Sequence, residues 1–244
     1  MNTVVVWLGS LGSTAAMWEP QVAEFGDRSR CVMIDLPGHG GAPATPGPYS
    51  IDGLADGVAG TLDQLGVVQA HLVGSSIGGM MTMSLARRHA ARVDRLVLIG
   101  TSAHLPPASA WTDRAATVRA GGTATVAEAV AARWVTPAYA AAHPVAVERF
   151  EAMISSVDRE GYAGCCEAIA AMDQRDGLAQ ITAPTLVLVG RDDPATPVEH
   201  AEEIAAGVPV ARLEVVPGAH LPSVESADAV NALLAEHLFR EHTP

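Results

Sequence analysis

Short, nearly continuous apolar runs alternate along the chain with longer, Ala-rich amphipathic stretches. The apolar runs predict six strands, at 3–8, 31–35, 70–73, 95–99, 185–189 and 212–216. The stretches between them predict five helices, at 18–25, 51–65, 77–89, 199–206 and 227–240, with Ser226 as N-cap of the last. Strands that are apolar on both faces and alternate with helices indicate an α/β fold, with a mostly parallel sheet flanked by helices.

The alternation breaks between Ser102 and Ile181, where no convincing strand occurs and Ala-rich helical segments are separated by prolines and glycines. We therefore expect a core formed by residues 1–101 and 182–244 and an all-helical cap formed by residues 102–181. Such an insertion between two strands is expected to cover the C-terminal edge of the sheet, where open α/β sheets bind ligands.

Composition favours a soluble globular protein, because 49% of the 244 residues are apolar and no apolar run is long enough to cross a bilayer. The three cysteines are an odd number and two of them, Cys165 and Cys166, are adjacent, so they form neither a disulfide framework nor a zinc-binding pattern. The N-terminus has no basic region followed by an apolar one, so no signal peptide is expected. These features predict a cytoplasmic protein with no membrane partner.

The charged residues exclude several classes of mechanism and ligand. The chain has 27 acidic and 15 basic residues, a formal net charge of −12, and every basic residue is arginine. The absence of lysine excludes a phosphate-binding P-loop and every mechanism that needs a lysine Schiff base. An acidic chain without a basic block is also a poor nucleic-acid binder. Any carboxylate on a substrate must therefore be bound by arginine, histidine or backbone N–H groups.

Residues 74–78 read Gly-Ser-Ser-Ile-Gly and fit the pattern G-x-S-x-G. The pattern alone is weak, because a chain rich in glycine and serine produces it by chance and an ordinary glycine-rich turn has the same residues. Here it follows a predicted strand and precedes a predicted helix, which is the arrangement that exposes a nucleophilic serine on a strained turn. The spacing makes Ser76 the candidate nucleophile.

A serine nucleophile needs a base, and the base needs an acid that orients it. His220 follows the last predicted strand and is the candidate base. Asp192 and Asp193 follow the strand before it, which gives the chain order serine, acid, histidine. The two carboxylates could also form a plain solvated turn, but the spacing from Gly190 and Pro197 favours Asp193 as the acid.

An oxyanion hole needs two preorganised N–H donors. One is expected from Ile77, the residue after the nucleophile. The other is expected from the glycine-rich loop after the first strand, where Ser10 is the first choice and Leu11 the second.

Together these segments resemble the α/β-hydrolase superfamily, and the resemblance extends through the predicted cap to the 3-oxoadipate enol-lactonases. The matching core segments lie at 9–12, 35–40, 74–78, 190–197 and 218–220, and the matching cap and cap-flanking segments at 48–51, 101–105, 111–114, 132–137 and 161–167. The resemblance implies hydrolysis of a small carboxylated enol-lactone without metal or organic cofactor. Two features depart from the pattern of these relatives. The N-terminus is shorter than theirs, so an outer β-hairpin is expected to be absent. Leu8 and Pro37 stand at positions where His and Arg, respectively, are common.

For a carboxylated substrate, Arg133 is the expected cation, with Trp134, His104 and Trp111 lining the same pocket. Arg133 as an exposed helix residue and Trp134 as part of the cap's own core are an equally compatible interpretation. Three other functions stay open: another carboxylesterase, lactonase or perhydrolase-like enzyme on the same triad, a noncatalytic ligand-binding protein with this fold, and a C–C bond hydrolase. The sequence leaves the oligomeric state open.

Overall fold

Six parallel strands form the centre of the structure, a computed structural model that describes residues 3–239. The strands are β1 (Val4–Leu8), β2 (Arg30–Ile34), β3 (Ala70–Ser75), β4 (Val93–Ile99), β5 (Thr185–Gly190) and β6 (Ala211–Val216). They pair in the order β2-β1-β3-β4-β5-β6, and every neighbouring pair is parallel. All six predicted strands are present, each within two residues of its expected bounds.

Eleven α-helices occur within the described residues. They are α1 (Glu19–Phe25), α2 (Ile51–Gln64), α3 (Ile77–Arg88), α4 (Ala108–Gly121), α5 (Ala127–Trp134), α6 (Pro137–Ala142), α7 (Pro144–Ser155), α8 (Arg159–Ala170), α9 (Val198–Gly207), α10 (Pro222–Glu225) and α11 (Ala227–Phe239). Between residues 3 and 239, none of the helices is both long and apolar enough to cross a membrane.

The five predicted core helices are present, with small corrections at their ends. Residues Ala15–Trp18 form a separate turn of 3₁₀-helix, so α1 begins at Glu19 and not at residue 18. The carbonyl of Ser226 accepts the N–H of Val230, as an N-cap does, while its hydroxyl donates to the carbonyl of Pro217. The short helix α10 was not predicted. Residues 1–2 and 240–244, the ends of the expected core segments, lie outside the described residues.

The burial of the strands explains why they could be predicted from the sequence. Every residue of β3 and β5 is buried, because helices cover both faces of the sheet at these central positions. The edge strand β2 instead exposes Arg30 and Met33. The central strands are therefore mainly apolar, and because all strands are parallel, the loops that follow them begin at one edge of the sheet.

The helices α4 to α8 all lie between β4 and β5, within the segment expected to form the cap. An isolated antiparallel bridge between His104 and Asp173 joins the chain entering this insertion to the chain leaving it. The insertion has its own apolar interior, in which the Trp134 and Phe150 rings meet edge to face with centroids 5.5 Å apart. The inserted segment is therefore a packed helical layer attached at the carboxyl edge of the sheet.

Candidate active site

Ser76 stands between the end of β3 and the start of α3, with φ 55° and ψ −121°. It has the single positive φ found for a non-glycine residue within residues 3–239. Such a conformation costs energy and is kept only where the surrounding structure enforces it. This is the sharp strand-to-helix turn that the G-x-S-x-G spacing predicts.

Close backbone approach on both sides enforces this turn. A Cβ at Gly74 would lie 2.4 Å from the carbonyl oxygen of Gly78, and a Cβ at Gly78 would lie 2.3 Å from that of Leu8. The Ser76 N–H donates to the carbonyl of Ile99, and the Thr101 hydroxyl donates to the Ser76 carbonyl at 2.6 Å. Only glycine fits at the two tight positions, and the hydrogen bonds hold Ser76 in place.

Asp193 and His220 form a buried acid–base pair. Nδ1 of His220 is 2.9 Å from Oδ2 of Asp193, and the two residues are 5% and 4% exposed. Asp192 is exposed, so of the two neighbouring carboxylates it is Asp193 that meets the histidine. The loops after β5 and β6 bring the pair together, as the chain order of the candidate triad predicts.

Further donors fix the Asp193 carboxylate. Oδ1 accepts the N–H groups of Ala195 and Thr196, and Oδ2 accepts the Thr196 hydroxyl at 2.8 Å. Burial alone would raise the pKa of Asp193, but the charge of His220 and these hydrogen bonds outweigh it and hold the pKa below its usual value. The carboxylate is therefore ionised at neutral pH and oriented towards the imidazole.

The loop after β1 presents its N–H groups differently from the sequence expectation. The Ser10 N–H is directed at the sulfur of Met17 at 3.4 Å, and the Gly12 N–H donates to Nε2 of His39 at 3.1 Å. Between them, the N–H of Leu11 has no acceptor among the described residues. Ser10 and Leu11 both line the cavity described below, and of the two it is Leu11, the second choice from sequence, whose N–H is free of a protein acceptor.

The other expected donor is Ile77, the first residue of α3. An N–H at the first position of a helix has no intrahelical acceptor and points out of the helix start. Ile77 follows Ser76 directly, so its N–H lies next to the serine. Ile77 and Leu11 therefore each present an N–H group that has no acceptor within residues 3–239.

A cavity of about 200 Å³ lies between the sheet loops and the inserted helices. The sheet side contributes Ser76 and His220, and the helical side contributes Trp111, Arg133 and Trp134. The structure therefore brings these five predicted residues to one cavity. Trp134 lines the cavity and also packs in the interior of the insertion. It therefore fits both interpretations given above, pocket-lining residue and part of the cap's own core.

His104 is placed elsewhere. It does not line this cavity, and it lies where the chain enters the insertion, with its carbonyl accepting the Ser102 hydroxyl at 2.6 Å. Its backbone forms the bridge to Asp173 described above. The expectation that His104 lines the substrate pocket is thus not met, because the bridge holds this residue at the base of the insertion.

Two arginines give the cavity a positive lining. Arg114 and Arg133 both line it, no carboxylate does, and neither arginine has a carboxylate partner within the described residues. Burial, followed by the charge of Arg114, lowers the pKa of Arg133. The Arg114 guanidinium lies over the Trp111 ring, 4.5 Å from its centroid. Two positive charges without a carboxylate partner among the described residues therefore line the site.

Sequence reasoning missed Arg114. It lies three residues after Trp111 on α4, a spacing that places both side chains on one helix face. That spacing was the available signal, since Trp111 was already a candidate.

Comparison with known proteins places this geometry in context. The family model of the alpha/beta hydrolase fold matches residues 3–227. The 3-oxoadipate enol-lactonase 2 of Acinetobacter baylyi is 35% identical over 227 residues, covering 93% of this chain and 85% of that protein. The crystal structure of the enol-lactonase from Burkholderia xenovorans LB400 superposes with a TM-score of 0.96 at 34% identity, covering 98% of this chain and 92% of that one.

An esterase is also similar. The structure of a thermophilic esterase from Thermogutta terrifontis, solved with malate bound, superposes with a TM-score of 0.91 at 30% identity. That match covers 96% of this chain and 88% of the esterase. The similar proteins thus include ester hydrolases as well as enol-lactonases.

Proposed function

The chain belongs to the alpha/beta hydrolase family, and we propose that it is a serine hydrolase that opens a small carboxylated enol-lactone through an acyl-enzyme. The substrate that we propose is 3-oxoadipate enol-lactone, and the product is 3-oxoadipate. One observation carries the proposal: Ser76, His220 and two arginines that have no carboxylate partner in residues 3–239 line the same small cavity. The similarity to two enol-lactonases supports the choice of substrate.

The first step in this proposal is attack on the lactone carbonyl. The Ser76 oxygen forms a bond to the carbonyl carbon, and its proton passes to Nε2 of His220. Nδ1 of His220 faces a carboxylate, which can only accept, so Nδ1 carries a proton and Nε2 is left free as the base. The N–H groups of Leu11 and Ile77 stabilise the negative oxygen, a contribution of about 3 kcal/mol for one such donor.

Ring opening follows. The bond between the acyl carbon and the enol oxygen breaks, and His220 returns the proton to that oxygen. The leaving group stays attached to the acyl chain, so the acyl-enzyme holds the whole opened molecule. Tautomerisation of the enol to a ketone then makes ring opening effectively irreversible. Water activated by His220 attacks the acyl carbon and releases the product and Ser76.

Cavity size and charge fit this substrate. A volume of about 200 Å³ is below the roughly 300–1,000 Å³ of pockets for drug-sized ligands. Arg114 and Arg133 are the groups that we propose bind the substrate carboxylate. Because the whole chain carries a net charge of −12, long-range attraction of an anion is not expected, and recognition rests on these two local charges.

A second candidate is hydrolysis of other small esters on the same triad. The similarity to an esterase solved with malate bound favours it. A substrate comparison separates the two candidates: the purified protein is assayed with 3-oxoadipate enol-lactone and with neutral aryl esters. The proposal expects kcat/KM for the enol-lactone to exceed that for every neutral ester. A higher kcat/KM for the neutral esters would favour the second candidate.

A further inference from the structure

One carboxylate joins the inserted helices to the loop that carries His220. Glu225 is the last residue of α10 and is half-buried. Its Oε2 accepts two backbone N–H groups, from Thr136 at 3.0 Å and from Ala219 at 2.9 Å. Its Oε1 accepts the Thr136 hydroxyl. Thr136 belongs to the insertion and Ala219 precedes His220, so the carboxylate binds both sides at once.

Backbone hydrogen bonds continue the same contact. The His220 N–H donates to the carbonyl of Arg133 at 3.3 Å, and the Leu221 N–H donates to the carbonyl of Trp134 at 2.8 Å. Residues 133–136 therefore lie along residues 219–221, and we call this contact the cap seam. Hydrogen bonds to a charged group are stronger than neutral ones, so the Glu225 carboxylate adds strong polar contacts to these two backbone bonds.

The same carboxylate lies beside a turn on each side of the seam. Thr136 is the N-cap of α6, with its hydroxyl oxygen accepting the Tyr139 N–H at 3.2 Å. Gly218 has φ 112°, and a Cβ there would lie 3.2 Å from Oε2 of Glu225. The carboxylate thus touches the chain where it turns into α6 and where it turns towards His220.

We propose that Glu225 is a positioning residue that sets the place of the base, His220, and of the carboxylate-binding residue, Arg133, relative to each other. The inference rests on the proposed function, in which those two residues have these roles. Glu225 does not line the cavity and so acts through the seam. Its loss lets the insertion and the His220 loop separate, which affects proton transfer and anion binding together.

The test uses two matched aryl esters, 4-nitrophenyl pentanoate and mono(4-nitrophenyl) glutarate, which differ by a methyl group in place of a carboxylate. In Glu225→Ala, kcat falls about tenfold on both esters, the cost of one charge-assisted hydrogen bond. KM rises about tenfold for the carboxylated ester alone, because Arg133 is displaced. Glu225→Gln keeps an acceptor for both N–H groups and stays within about threefold of the wild type.

Three further variants complete the test. Glu202→Ala removes an exposed carboxylate on α9 and is expected to change neither constant. If Glu225→Ala does not fold, Thr136→Val replaces it, since it removes the hydroxyl bond to Oε1, together with the cap of α6, and keeps the backbone bond to Oε2. Thr136→Ser, which keeps the hydroxyl, is its matched control. Thr136→Val is then expected to show the same pattern at about threefold.

A fluorophosphonate that labels Ser76 separates this inference from the proposed function. A wild-type protein that is not labelled would overturn both. A labelled wild type, with the KM ratio of the two esters unchanged in Glu225→Ala, would overturn the role of Glu225 alone. That outcome includes a change of equal size in both KM values, because such a change shows no selective displacement of Arg133.

Discussion

Nδ1 of His220 lies 2.9 Å from Oδ2 of Asp193, although the two residues are 27 positions apart in the sequence. Both side chains are buried, so water does not compete for this hydrogen bond. The carboxylate can only accept, which fixes the imidazole proton on Nδ1 and leaves Nε2 to act as a base. The Thr196 hydroxyl donates to the same carboxylate oxygen, at 2.8 Å from Oδ2.

Replacing Asp193 by Asn tests the importance of that proton position. An amide in place of the carboxylate can donate to Nδ1 and favours the wrong tautomer, so we expect kcat to fall roughly 1,000- to 10,000-fold. Asp192→Asn is the matched control, because it changes the exposed neighbour, and it is expected to keep wild-type kcat. Steady-state kinetics on one aryl ester measures both, and a loss of less than tenfold in Asp193→Asn would contradict the assignment.

The two cavity arginines are tested by their effect on anionic substrates. Arg114→Gln and Arg133→Gln are each expected to raise KM about tenfold for a carboxylated ester, since each loses a charged hydrogen bond. KM for the neutral ester of the same length is expected to stay unchanged. Arg149→Gln is the control, because that arginine is exposed and pairs with Glu19 away from the cavity. Equal changes for both esters would remove the arginines from substrate binding.

Two glycine substitutions test the tight turn at Ser76. A Cβ at Gly78 would lie 2.3 Å from the Leu8 carbonyl oxygen, so Gly78→Ala is expected to lose activity and at least about 2 kcal/mol of unfolding free energy. A Cβ at Gly60, within α2, would meet no atom of a neighbouring element within 4 Å. Gly60→Ala is therefore expected to gain about 0.5–1 kcal/mol at unchanged activity. Urea unfolding measures both, and an active, equally stable Gly78→Ala protein would contradict the turn geometry.

His39 is expected to make the protein sensitive to acid. Burial lowers its pKa to about 4, against the opposing effects of a hydrogen bond with Pro37 and the charge of Asp35. An unfolded histidine titrates near pH 6.5, so between pH 6.5 and 4 the unfolded chain binds more protons than the folded one. The free energy of unfolding therefore decreases as the pH is lowered through this range. The loss from His39 alone is about 3 kcal/mol by pH 4.

Urea unfolding at pH 7 and at pH 4.5 checks this expectation. The pKa of His237 is also lowered to about 4, mainly by burial, so it contributes in the same direction and remains in every variant. His39→Gln removes one titrating group and is expected to lose less stability between the two pH values than the wild type. An equal loss in both proteins would show that His39 is not protonated on unfolding.

The fold could be predicted from sequence because its signals are local. Most strands are short, mainly apolar segments, and the Ser76 turn is carried by glycines within two positions of it. The order serine, acid, histidine then followed from the strand after which each of these residues lies. Spacing already favoured Asp193 over Asp192, but only the structure shows that Asp193 is buried against His220 and Asp192 is exposed.

The parts that could not be predicted depend on contacts between distant residues. Ser10 and Leu11 are adjacent, and the N–H of Leu11 is left without a protein acceptor because Ser10 contacts Met17 and Gly12 contacts His39. Glu225 meets Thr136 across 89 positions, and no local pattern marks that pair. Arg114 is different, since its helical spacing from Trp111 was visible in the sequence.

The central claim is that Ser76 opens a carboxylated enol-lactone. The most direct measurement follows the loss of ultraviolet absorbance of 3-oxoadipate enol-lactone with purified wild-type protein and with Ser76→Ala. We predict rapid loss with the wild type and, since removing the nucleophile costs several orders of magnitude in rate, a loss with Ser76→Ala indistinguishable from the uncatalysed reaction. No loss above background with the wild type, or a few per cent or more of its rate retained by Ser76→Ala, would contradict the account.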